Sequence, residues 1–117
     1  MSEPLSETRA SLLQVRAQLL ADLDDAATAL AVIRRLRADR SDDDEHDPEG
    51  SPLSSEWTRL DARYRAAQQR VRDVDAALAA QAVGEYGRCA RCGDVIPAGR
   101  LEIMPTATRC VACAGKP

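Results

Sequence analysis

Apolar residues recur every seven positions in the first third of the chain. This spacing places side chains on one face of an α-helix and is typical of a coiled-coil seam. The heptad position that holds Leu23 and Leu30 is occupied by arginine elsewhere, at Arg9, Arg16 and Arg37. The seam is therefore best formed in its middle. The pattern predicts a first helix from about Ser6 to about Ala38. Its seam residues are Leu5, Leu12, Leu19, Leu23, Ala26, Leu30 and Ile33, and Leu13, Leu20 and Ala27 widen the apolar face.

A second apolar series advances in alternating steps of four and three residues, which is an uninterrupted 3.5-residue period. Pro52 suits the first position of a helix, and the Ser51 hydroxyl can cap the first backbone amides. Gly84 and Gly87 end the pattern. A second helix is therefore predicted from Pro52 to about residue 83. Its seam residues are Leu53, Trp57, Leu60, Tyr64, Ala67, Val71, Val74 and Leu78.

Between the two series, residues 40–51 contain Pro48 and Gly50, which end any continuous helix. Each helix of about 30 residues would extend about 45 Å, and a short polar connection favours an antiparallel pair. The helices could instead belong to a larger oligomeric bundle. A monomer is expected, although self-association through Leu13 and Leu20 remains open.

Four cysteines follow the second helix, with the spacing C-x2-C-x17-C-x2-C: Cys89, Cys92, Cys110 and Cys113. This spacing predicts one structural zinc ion, because four thiolates fill a tetrahedral site and leave no coordination position open. Two disulfides are the alternative. The N-terminus lacks the basic and apolar regions of a signal peptide, so a cytoplasmic location with reduced thiols is expected.

The predicted fold class is mainly α. An antiparallel two-helix coiled-coil hairpin at residues 1–83 precedes a small four-cysteine zinc-finger module at residues 84–117. The composition agrees, because a chain of 117 residues with no Phe, one Trp and two Tyr suits narrow helix packing better than a broad core. No nucleophile–base arrangement, phosphate loop or open metal site is present, so an enzyme is not expected.

The turn of the hairpin is strongly acidic, with six carboxylates in residues 42–49. Such a run is often a solvated loop, because like charges repel. The functional interpretation is a rod that presents carboxylates to a cation or to a basic channel. The run does not match a calcium-loop pattern. The candidate tip residues are Asp44, Glu45, Asp47 and Glu49.

Five segments of the cysteine module form a distinctive pattern: Tyr86–Gly93, Ile96, Arg100–Glu102, Pro105–Ala107 and Cys110–Cys113. On these residues the module resembles the DksA/TraR four-cysteine zinc-finger family, and the preceding hairpin agrees with that family in architecture. The resemblance implies a bacterial transcription regulator that binds RNA polymerase directly, without DNA and without catalysis. It also implies that the coiled coil enters the secondary channel, so that its tip approaches the polymerase active site.

Some positions depart from the family pattern. The family tip carries Asp-x-x-Asp-x-Ala, of which only Asp47 matches, because Gly50 and Pro52 replace the second Asp and the Ala. Met104 and Ala114 stand where some members carry a cation. Met104 and Ala114 argue against binding of the alarmone guanosine tetraphosphate by the family route.

Two other classes of protein share part of the pattern. GATA-type DNA-binding fingers have the same cysteine spacing, but they rely on basic residues in and after the module. Here the chain has a net charge of -3, and Cys113 is followed by Ala114-Gly115-Lys116-Pro117. A structural coiled-coil adaptor is the other alternative, although an adaptor has no need of the acidic tip.

Overall fold

Two long helices make up most of the chain. The computed structural model describes the backbone of residues 2–41 and 52–117 and the side chains of residues 7–39 and 52–117. The helices are α1, Ser2–Ser41; α2, Pro52–Ala82; α3, Ala98–Ile103; and α4, Val111–Ala114.

The first helix is longer than its apolar pattern predicts. It begins at Ser2 rather than about Ser6 and ends at Ser41 rather than about Ala38. Pro4 lies in its first turn, where a backbone amide has no partner within the helix and the missing N–H costs little. The helix therefore begins before and ends after the segment that the apolar pattern predicts.

The connection between α1 and α2 carries several of the residues predicted to act. Residues 42–51 lie outside the described residues. The same is true of the predicted cap Ser51 and of the tip residues Asp44, Glu45, Asp47 and Glu49, whose role stays a prediction.

The described residues cluster into two compact units, of which one comprises Gln18–Val71. In this unit Leu30, Ile33 and Leu60 form a buried cluster. Arg37 lies over the Trp57 ring, with its guanidinium carbon 5.0 Å from the ring centroid. A late residue of α1 thus meets an early residue of α2, and earlier residues of α1 meet a later one, so the helices are antiparallel. Partly buried residues around the cluster are Ala29, Leu53, Trp57 and Tyr64.

The other unit comprises residues 1–17 together with residues 72–117. Leu12 and Val74 are 1% and 0% exposed, as their seam positions predict, and Ala77 is buried as well. Arg16 Nε donates a hydrogen bond to Asp75 Oδ1 at 2.6 Å. The arginine that interrupts the apolar register of α1 therefore has an ion-pair partner on α2.

The mainly α fold predicted from sequence, a two-helix pair followed by a four-cysteine module, is confirmed. The buried positions of α1 and α2 fall on the predicted seams, apart from Ala77. Leu13 and Leu20 are 43% and 38% exposed and lie outside the buried seam. None of the described helices contains an apolar stretch long enough to cross a membrane.

Candidate metal centre

The first pair of cysteines lies in a tight turn shortly after α2. The Cys89 amide donates to the Asp94 carbonyl at 2.8 Å, and the Gly93 amide donates back to the Cys89 carbonyl at 2.9 Å. Gly93 has a φ of +79°, a backbone conformation that glycine adopts without steric cost. The reversal at Gly93 lets the segment fold back so that Cys89 and Cys92 lie on one turn.

The second pair lies at the start of the last helix. Cys110 is the N-cap of α4, and its carbonyl accepts hydrogen bonds from the amides of Cys113 at 3.1 Å and Ala114 at 2.9 Å. One helical turn separates the two cysteines, so their side chains lie on the same side of α4.

A small apolar core brings the two turns together. Ile96 is 2% exposed and packs with Cys89 and Cys113, while Leu101 packs against this group from α3. The Ala90 amide also donates to the backbone carbonyl of Thr108 at 2.7 Å. A backbone hydrogen bond and apolar contacts therefore hold the two cysteine turns together, in addition to the bonds that a shared metal ion would supply.

Gly87 permits the close approach of α3 to this core. It has a φ of +81°, and a Cβ at this position would lie 3.2 Å from Leu101 Cδ1. Its carbonyl accepts a hydrogen bond from the Ile96 amide at 2.6 Å. A side chain at residue 87 would strain the backbone and crowd Leu101.

The four sulfur atoms lie close enough together to surround one metal ion. The ligand atoms of Cys89, Cys92, Cys110 and Cys113 all lie within 4.8 Å of one another, and the Cys92 and Cys110 sulfurs are 3.8 Å apart. In a regular tetrahedron with zinc–sulfur bonds of about 2.3 Å, the sulfurs are about 3.8 Å apart. Four thiols positioned in this way suit one zinc ion, which confirms the predicted cofactor.

Backbone amides prepare one thiol of the group for binding. The amides of Cys92 and Cys110 donate hydrogen bonds to the Cys89 sulfur and lower the pKa of that thiol to about 6. The Asp94 amide lowers the pKa of the Cys92 thiol, but the neighbouring Cys89 sulfur, burial and the other two thiols outweigh it and raise the pKa to about 12. Zinc binds thiolate rather than thiol, so the lowered pKa of Cys89 favours metal binding at this residue.

Several polar contacts of the module were not predicted from sequence. Arg91 Nη1 donates to the Cys113 sulfur at 3.8 Å. Tyr86 Oη donates to the Pro105 carbonyl at 2.7 Å, and burial raises the pKa of this phenol. For Arg91 a signal was available, because a donor placed between two metal ligands along the chain is well situated to reach a sulfur.

The cysteine cluster agrees with comparisons to known proteins. Residues 84–117 match the family model of the prokaryotic dksA/traR C4-type zinc finger. The chain is also similar to the solved structure of transcription factor DksA2 from Pseudomonas aeruginosa, with a TM-score of 0.78 and 25% sequence identity over 97% of this chain and 81% of the other. The comparison with curated proteins gave no match.

These findings agree on one relationship. The family match covers the same segment that holds the four clustered sulfurs, and the structural match extends through α1 and α2. The predicted resemblance is thereby confirmed, and the chain carries a DksA/TraR-type four-cysteine zinc finger on the fold of transcription factor DksA2.

Proposed function

We propose that this protein is a cytoplasmic transcription regulator that acts by binding RNA polymerase directly. The observation that carries the proposal is the similarity to transcription factor DksA2 along nearly the whole chain, helices and finger together. A DNA-binding finger would account for residues 84–117 alone and would leave the long helices without a role.

In this proposal the hairpin of residues 1–83 enters the secondary channel and carries its acidic turn towards the active site. Asp44, Glu45, Asp47 and Glu49 are the proposed acting residues, with Asp47 first among them. Support comes from the packing next to the connection, where Leu53 and Trp57 lie against the buried cluster around Leu30. A packed helix pair can hold such a turn at a defined position inside a channel.

Charge in the finger supports a protein partner rather than DNA. Arg88 donates to the Gly93 carbonyl and pairs with Glu85. Arg100 donates to the Arg109 carbonyl at 2.8 Å. Arg91 donates to the Cys113 sulfur. Arg109 donates to the backbone carbonyls of Cys113 and Lys116. Residues 84–117 hold five cations against three carboxylates, and the whole chain has a net charge of -3. A DNA-binding finger relies on basic residues in and after the module to neutralise phosphates, so this charge favours a protein partner.

The alarmone is not part of the proposed mechanism. Met104 is 48% exposed at the position where some family members carry a cation, and an apolar thioether offers no charge to a phosphate. We therefore expect the same effect on initiation with and without guanosine tetraphosphate. The proposed factor acts as a monomer and performs no chemistry of its own.

Purified core polymerase and transcription in vitro test the proposal. The wild-type protein should co-purify with core polymerase and change the yield of initiation at sensitive promoters. Asp47→Ala should retain polymerase affinity and lose most of the effect on initiation. Asp24→Ala, which removes an exposed carboxylate in the middle of α1, is the matched control and should behave as wild type.

Two results would contradict the proposal at different levels. Failure of the wild-type protein to bind polymerase would remove the proposed partner. Equal loss of affinity and of regulation in Asp47→Ala would keep the partner but make the turn a docking surface rather than an acting tip.

A further inference from the structure

Arg91 holds an unusual position relative to the metal ligands. It lies between Cys89 and Cys92 in the first cysteine turn, yet its Nη1 donates to the sulfur of Cys113, 22 residues further along the chain. The side chain therefore links the first cysteine turn to the second.

The chemistry of the centre creates a need for such a donor. Zinc bound by four thiolates leaves two formal negative charges, since the metal contributes two positive charges and the ligands four negative ones. Cys89 and Cys113 are only 2% and 5% exposed, so water has little access to their sulfurs. A buried negative group is stabilised by a charge-assisted hydrogen bond from the protein.

The other arginines of the module have different partners. Arg88 donates to the Gly93 carbonyl at 3.1 Å and pairs with Glu85 at 3.4 Å. Arg100 and Arg109 donate to backbone carbonyls. Among the arginines of residues 84–117, Arg91 is thus the one for which the structure places a guanidinium nitrogen within bonding distance of a ligand sulfur.

We propose that Arg91 is a positioning residue of the metal centre, whose guanidinium holds the Cys113 thiolate and slows the loss of zinc. Two effects act together. The positive charge of the guanidinium offsets part of the negative charge that four thiolates bring to one zinc ion. The contact also ties α4 to the first cysteine turn, so Cys113 moves away from the metal less often. This role does not depend on polymerase binding.

Zinc transfer from the full-length protein to a colorimetric chelator tests the proposal. Removal of a hydrogen-bond partner of a metal ligand costs about 10–100-fold in metal affinity, so Arg91→Met should release zinc at least about 10-fold faster than wild type. Arg88→Met is the matched control, since it removes the same charge from the same turn without touching a sulfur contact, and its release rate should equal that of wild type. Arg91→Lys keeps the charge and should fall between Arg91→Met and wild type.

A spectroscopic measurement separates this role from general destabilisation. In the cobalt-substituted protein, a hydrogen bond to a thiolate lowers the energy of its donor electrons. Arg91→Met should therefore shift the sulfur-to-metal charge-transfer band to longer wavelength, and Arg88→Met should not. If Arg91→Met fails to fold, Arg91→Gln, which is neutral and polar, carries the same comparison. Zinc release at the wild-type rate in the Arg91 variant, or equal acceleration in the Arg88 variant, would overturn the proposal.

Discussion

Leu30 and Leu20 provide a matched pair of substitutions that tests the packing of α1 against α2. Both are leucines on α1 in the same compact unit. Leu30 is 1% exposed and packs with Ile33 and Leu60, whereas Leu20 is 38% exposed. Leu30→Ala and Leu20→Ala remove the same atoms, so the difference between them measures burial.

The expected magnitudes follow from these exposures. Leu→Ala deletes three carbon atoms, and about 0.8 kcal/mol for each buried methyl or methylene group gives a transfer contribution of about 2.4 kcal/mol at a fully buried site. A cavity next to Leu60 adds to this, so Leu30→Ala should lower the free energy of unfolding by about 3 kcal/mol. Leu20→Ala leaves no enclosed cavity and gains slightly in helix propensity, so its cost should be about 1 kcal/mol or less. A loss of about 3 kcal/mol is a large part of the 5–15 kcal/mol typical of a folded protein.

Urea denaturation of the zinc-loaded protein measures both variants. Trp57 is the only tryptophan and packs against the cluster that contains Leu30, so its fluorescence reports on this unit. Far-ultraviolet circular dichroism reports on the helices independently, and coincident transitions justify a two-state treatment.

Two outcomes would contradict the reasoning. Equal and small losses in both variants would mean that the predicted seam is not the packed face. A large loss in Leu20→Ala that depends on protein concentration would mean that a second copy covers the Leu13 and Leu20 side, which is exposed in the single chain.

The zinc site and the finger give two further predictions. Cys89→Ser should lose its zinc during dialysis against a chelator and expose residues 84–117 to proteolysis, because metal binding and folding are coupled in such modules; one zinc per chain remaining by metal analysis would contradict this. Tyr86→Phe removes the bond to the Pro105 carbonyl and should cost about 1 kcal/mol of unfolding free energy. Burial raises the pKa of the folded-state Tyr86 phenol, so its contribution is present below its unfolded pKa of about 10 and is lost as the pH rises through the folded-state pKa. The stability of Tyr86→Phe should therefore fall less steeply than that of wild type above about pH 10, as measured by denaturation across pH, and parallel curves would argue against this linkage.

Much of the fold was predictable because its interactions are periodic. A 3.5-residue apolar repeat places the apolar side chains of each helix on one face, and this face is buried whichever element packs against it. The seam residues buried in the structure include Leu12, Ala26, Leu60 and Val74. The ends of α1 were less predictable, since residues 2–4 and 39–41 are helical but lie outside the apolar repeat. Ala77 was missed because a small residue beside the seam becomes buried only through the particular approach of its neighbours.

The arginines of the α1 register show a second limit. Arg16 and Arg37 interrupt the apolar repeat, so the repeat by itself predicts no contact with α2 at these two positions. In the folded chain, Arg16 pairs with Asp75 and Arg37 stacks on Trp57. Each partner lies on the other helix, so the pairing depends on the register between the helices, which the apolar repeat of one helix does not define.

The sequence by itself determined the four-cysteine zinc module, the two amphipathic helices and the family they resemble. Cysteine spacing and apolar period are local patterns, and each is sufficient for the local structure that it predicts. Tertiary structure alone decided that Arg91 reaches Cys113, that Tyr86 donates to Pro105 and that Leu13 and Leu20 remain exposed. Such contacts join segments distant in the chain, and their distances follow from how the packed helices and the finger core place whole segments in space.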